Sequence, residues 1–130
     1  SKVYKADAIL LITSILSNTQ IKEFIKIAKD IGLDCIIETH SFEDLQRAIE
    51  IGYPIIGINN RNLDTLAVNT NNTLDLIMNI KKDFIIIGES GLKNNSDIKI
   101  YNQSGIYNFL IGESLLKSSN KKKKFNELLS

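Results

Sequence analysis

The sequence predicts an α/β protein built from parallel βα repeats, and three observations predict it. Five short runs are apolar on nearly every residue. The segments between them carry apolar residues at helical spacing, with capping residues in front and glycines behind. Polar residues collect directly behind the apolar runs, where α/β folds place their ligands.

The five runs are Ala8 to Ile12, Cys35 to Ile37, Ile55 to Ile58, Phe84 to Ile87 and Phe109 to Ile111. Unbroken apolar character marks strands covered on both faces, as in parallel sheets. The first helical segment puts Ile21, Phe24, Ile25 and Ala28 on one face, with Asn18 or Thr19 as cap and Gly32 just past its end. In the second, Ser41 and Asp44 are spaced as a capping box, Leu45, Ala48 and Ile49 form the stripe, and Gly52 terminates it. A third follows Thr73 with Leu74, Ile77 and Ile80. A fourth follows Ser96 with Ile98 and Tyr101 and ends at Gly105. The run Lys121 to Lys124 is the solvated side of a final helix whose apolar face is Phe125, Leu128 and Leu129. The asparagine-rich stretch 69–72 reads as a turn. A strand returns roughly every 20 to 30 residues, the pitch of βα units joined by right-handed crossovers.

With 130 residues and 43% hydrophobic content, the chain is long enough to bury a core, and one domain spanning 1–130 is expected. Lys plus Arg (16) nearly cancels Asp plus Glu (15). No global field therefore favours nucleic acid or an anionic membrane, and neither is expected as a partner. No apolar stretch approaches the roughly 20 residues of a membrane helix. The only cysteine, Cys35, sits in an apolar run, which excludes an intrachain disulfide and fits a reducing cytoplasm. Its thiol is expected to be core rather than nucleophile. Neither metal-ligand spacing nor a nucleotide-binding glycine loop is present in the sequence. The opening SKVYKADAILLI enters a strand after a few residues and reads as an interior start.

The strand ends carry the candidate chemistry. Glu38, Thr39 and His40 follow the second strand, Asn59, Asn60 and Arg61 the third, Glu89, Ser90 and Gly91 the fourth, and Gly112, Glu113 and Ser114 the fifth. Glu38, expected to be partly desolvated behind an apolar run, suits proton transfer, while a rim carboxylate paired with a cation is the alternative. His40 reads either as a base or as a loop histidine bonded to backbone. Gly-Glu-Ser recurs in IIGESGL (86–92) and LIGESLL (110–116). Gly91 and Gly112 lack a Cβ, so a ligand can meet backbone N–H groups at the start of a short helix. A single such turn is most simply a tight strand-to-helix connection. Two on consecutive strands point to a phosphate cradle, since closed barrels of parallel βα units often build one from the loops behind their last two strands.

In order and spacing, ADAILLI, CIIETH, IIGINNRNLDT, IIIGESGL and FLIGESLLK resemble the second half of the indole-3-glycerol phosphate synthases, and the similarity spans essentially the whole chain. The resemblance implies the C-terminal five βα units of a TIM barrel. It also implies ring closure of 1-(2-carboxyphenylamino)-1-deoxyribulose 5-phosphate with loss of carbon dioxide and water, without a cofactor. By that match Glu38 is the catalytic carboxylate, Asn59 bonds substrate hydroxyls, and Glu89 holds a catalytic lysine. Arg61 is similarly placed. Ser90, Gly91, Gly112 and Glu113 match the phosphate turns, with Glu113 acting through its backbone N–H because a carboxylate facing phosphate is repulsive. Leu10 and Leu11 are expected to line an apolar wall beside the anthranilate ring.

The family's early segments, a lysine followed by Ser-Pro-Ser and a Lys-Asp-Phe, are absent from this sequence. The expected partners are thus a phosphorylated small molecule and an N-terminal barrel half, and the chain alone is expected to hold phosphate without turning over. A closed barrel takes about 250 residues, so five units leave two sheet edges open. A related phosphate-binding barrel such as phosphoribosylanthranilate isomerase, or a non-catalytic half-barrel, is the alternative reading.

Overall fold

A computed structural model describes residues 1–59 and 83–130. Its strands are β1 (Ala8–Ile12), β2 (Asp34–Thr39), β3 (Ile55–Asn59), β4 (Ile85–Glu89) and β5 (Asn108–Leu110). The helices among the described residues are α1 (Asn18–Asp30), α2 (Phe42–Ile51), α3 (Asn95–Gln103), α4 (Glu113–Leu116) and α5 (Lys121–Leu129), after a short 3-10 turn at Lys2–Tyr4. The strands form one sheet in the order β1-β2-β3-β4-β5. β1 pairs parallel with β2, and β4 with β5. All five expected strands are present, and the architecture is that of parallel βα repeats of the TIM-barrel type.

The described residues fall into two compact units, one of 1–57 with 83–85 and one of 58–59 with 86–130. In the first, Ile21 and Ala28 of α1 and Leu45 and Ala48 of α2 are buried, as are Cys35 and Ile37 of β2. Ile21 and Ala28 are two helical turns apart and Leu45 and Ala48 one turn, so each helix buries one stripe. In the second, Leu92, Tyr101 and Ile106 form a buried cluster against Ile86, Phe109 and Ile111. The Tyr101 and Phe109 rings meet edge to face at 5.9 Å, a favoured aromatic geometry.

Several expectations need adjustment. The cap of α1 is Ser17, one residue before Asn18, because Ser17 and Gln20 bond each other's backbone as a complete capping box. Asn94, not Ser96, caps α3, again through a reciprocal box, here with Asp97. Ser41 caps α2 by accepting from the Asp44 N–H, and Gly52 ends that helix in the left-handed region at φ 77°. Burial on both faces is strong in β2 and β3, whereas Leu10, Ile85 and Leu110 are exposed. Leu10 and Leu11 cannot share one wall, because successive strand residues face opposite ways; Leu11 is buried and Leu10 is 41% exposed. On α5 only Leu128 is buried, while Phe125 and Leu129 are exposed. The stretch 69–72 and the helix expected after Thr73 lie outside the described residues.

Candidate active site

Each strand that carries a candidate carboxylate or amide keeps it as part of the ladder. Glu38 is the fifth of six residues in β2, Asn59 ends β3 and Glu89 ends β4. All three are buried, at 5%, 9% and 2% exposure. Reading them as the first residues behind the strands was therefore off by one or two positions. The difference matters physically, since a side chain on a paired strand is held by its neighbours on both sides more firmly than one on a loop.

In the first unit, β1 and β2 run in register with Ile12 opposite Glu38. The next residue, Thr13, is buried and donates both its backbone N–H (3.1 Å) and its hydroxyl (2.8 Å) to the Glu38 carbonyl. Thr39 is fully buried and donates its hydroxyl to the Gly57 carbonyl at 3.0 Å. The His40 backbone N–H donates to the Asp44 carboxylate at 3.2 Å, which fixes where β2 turns into α2. Sequence reading passed over Thr13, although a hydroxyl directly after ILLI was the available signal. Cys35 lies below this level in β2, and burial, reinforced by the neighbouring Asp34 carboxylate, pushes its thiol up from its ordinary 9.0. It is a core residue, as expected.

In the second unit the register places Glu89 opposite Leu110, so the two Gly-Glu-Ser turns are on neighbouring strands. Ser90 and Gly91 both take positive φ, 62° and 81°. Left-handed backbone costs a non-glycine residue roughly 1 to 2 kcal/mol, and such strain concentrates where function over-determines geometry. The turn behind β4 does not open a helix directly. Residues 91–94 intervene, and the Asn94 and Asp97 box uses the first amides of α3 itself. Behind β5 the expectation of an immediate helix holds, with Gly112 as the N-cap residue of α4.

Gly112 is informative because nothing among the described residues demands glycine there. Its φ of −119° is open to any residue, and a Cβ built on it meets no atom of the described residues, its chain neighbours aside, within 4 Å. The Glu113 carboxylate turns along α4 to Lys117 at 2.6 Å. Arg61 lies outside the described residues. Among the described residues, no group of three or more His, Cys, Asp or Glu side chains is placed to hold a metal ion. None of the described helices is long and apolar enough to cross a membrane.

A model of the family "Indole-3-glycerol phosphate synthase" matches residues 1–128. The chain belongs to that family. It is 43% identical over all 130 residues to the indole-3-glycerol phosphate synthase of Lachnoclostridium phytofermentans, of which it covers 48%. With the synthase of Caldanaerobacter subterraneus subsp. tengcongensis it shares 47% over 117 residues, 90% of this chain and 45% of that protein. The chain thus spans about half the length of the curated synthases it matches. Among solved structures, 3-hexulose-6-phosphate synthase from Salmonella typhimurium superposes with a TM-score of 0.77 over 95% of this chain and 60% of that one, at 12% identity. Thiamine phosphate pyrophosphorylase from Pyrococcus furiosus gives 0.73 over 96% and 58%, at 15% identity. These two likenesses speak to the fold alone.

Proposed function

We propose that this chain supplies the phosphate-binding turns and one catalytic carboxylate of an indole-3-glycerol phosphate synthase working in the cytoplasm. The substrate is 1-(2-carboxyphenylamino)-1-deoxyribulose 5-phosphate, and no cofactor takes part. The aromatic carbon attacks the ketone as its oxygen takes a proton, carbon dioxide leaves, and dehydration completes the indole. Protonation and dehydration each need a positioned acid or base, contributing on the order of 10² to 10⁴ in rate. Glu38 is the catalytic carboxylate of those steps. Asn59 bonds the substrate hydroxyls, and Glu89 orients a lysine that this sequence does not contain at a strand end. Ser90, Gly91, Gly112 and the Glu113 N–H hold the phosphate, and Arg61 adds to substrate binding.

The observation that carries this reading is Gly112, a glycine that neither its backbone nor the packing among the described residues requires, behind β5, the strand paired with the one that leads into the strained Ser90 and Gly91 turn. A ligand that must approach the backbone explains the missing Cβ at Gly112 and the strain at Ser90 together. The full-length protein of the test is this chain preceded by the N-terminal half that the resemblance expects, taken from the Lachnoclostridium phytofermentans relative. Fluorescence of indoleglycerol phosphate should rise with the full-length protein and stay flat with residues 1–130 alone. A folded full-length protein that binds substrate but yields no product would sink the assignment.

A further inference from the structure

We infer that Arg47 is a positioning residue that sets the direction of the Glu38 side chain through Thr13; the inference rests on the catalytic role proposed for Glu38. Arg47 is the sixth of ten residues in α2, on its second turn, and its guanidinium donates to the connection behind β1 and to the first residue of α1. Nη1 donates to the Thr13 carbonyl at 2.8 Å, Nη2 to the Leu16 carbonyl at 2.6 Å, and Nε to Asn18 Oδ1 at 2.8 Å. The Asp44 carboxylate stands 3.6 Å from Nη1 and keeps the fork oriented. The two carbonyls belong to the loop behind β1, outside the strand and the helix it joins, and the guanidinium supplies a donor to each.

The Thr13 residue is thereby held at both ends. Arg47 takes its carbonyl, while its N–H and hydroxyl both go to the Glu38 carbonyl. Two donors on one carbonyl fix the peptide plane that follows Glu38, and with it the direction in which the Glu38 Cβ leaves the strand. Asp44 completes the device, since its second carboxylate oxygen accepts the His40 N–H two residues beyond Glu38. One ion pair on α2 thus grips both strand exits that flank Glu38. Arginine suits this task because a planar fork serves three acceptors at once, whereas an ammonium is a point donor. Arg47 is one of only two arginines in a chain that otherwise uses lysine for its cations.

The test is a double-mutant cycle in the full-length protein with Arg47→Lys and Glu38→Gln, repeated with Arg47→Met. Arg47→Lys should lower kcat by about 10- to 100-fold, the loss that follows a displacement of roughly 1 Å, with KM within about 3-fold. In the Glu38→Gln background the same change should cost less than about 2-fold, because its effect passes through Glu38. Thr13 amide exchange should be faster in Arg47→Lys while the melting temperature stays close to that of the parent. An undiminished loss in the Glu38→Gln background, a loss carried by KM, or unaltered Thr13 exchange would overturn the inference. If the parent protein makes no indoleglycerol phosphate, the synthase reading fails by itself, and Thr13 exchange alone decides whether Arg47 is the clamp.

Discussion

Replacing Gly112 by alanine separates a glycine kept for the fold from one kept for a ligand. The substitution adds one Cβ at a position with φ −119° and, chain neighbours aside, no atom of the described residues within 4 Å. Alanine therefore meets no clash and reduces the freedom of the unfolded chain, a gain of about 0.4 to 1 kcal/mol. Against this stands the weaker N-cap preference of alanine, a loss of about 0.5 to 1 kcal/mol. The two nearly cancel, so the melting temperature of the full-length protein should move by no more than about 2 °C. Substrate affinity should respond quite differently. If the phosphate meets the N–H groups of this turn, a Cβ in its path removes one charge-assisted hydrogen bond, about 1.5 to 3 kcal/mol. Dissociation constants from calorimetry, and KM with them, should rise by about 10- to 150-fold, with kcat changed far less. Gly112→Asp should weaken binding further by adding a carboxylate. A variant that melts several degrees lower yet binds normally would mean that Gly112 serves the fold, and the phosphate assignment would be withdrawn.

Three other outcomes follow from single features of the structure. Ser90→Gly should stabilise the protein by about 1 kcal/mol by relieving its left-handed φ, while substrate binding weakens; a variant that is no more stable in urea denaturation would remove the strain argument. Tyr53→Phe takes away the hydroxyl that accepts the Cys35 N–H at 3.0 Å and should cost about 1 to 3 kcal/mol in the same assay. Its kcat should be unchanged, since Cys35 lies near the start of β2, away from the strand's carboxyl end. The raised thiol of Cys35 favours the protonated form in the folded state, so its contribution to stability is complete below its ordinary pKa of 9.0 and is lost as pH climbs above it. Cys35→Ala should be less stable at neutral pH but lose less between pH 8 and 10; equal slopes for both proteins would contradict the burial account.

The fold was legible because its signals are local. Apolar runs marked all five strands, and Gly52, Ser41 and Gly105 punctuated the helices as the turn chemistry demands. The errors at Ser17 and Asn94 arose where two capping residues lay within two positions of each other, and the choice depends on which one finds Gln20 or Asp97 three residues on. The candidate site was legible only as residue types at strand ends. That Glu38 and Glu89 belong to the ladder rather than the loops depends on strand pairing, which no local pattern reveals. Thr13 and Arg47 were invisible for a similar reason. Their partners are 25 and 34 residues away in sequence, and an arginine at i+3 from an aspartate on a helix reads as an ordinary surface pair.

The central claim, that Glu38 does chemistry while the glycine turns bind, is tested most directly by Glu38→Gln in the full-length protein under single-turnover conditions. The account predicts a fall in the rate of indoleglycerol phosphate formation of about 10² to 10⁴, with substrate affinity within about 3-fold of the parent. A rate close to that of the parent, or a loss that appears as weaker binding instead, would contradict it.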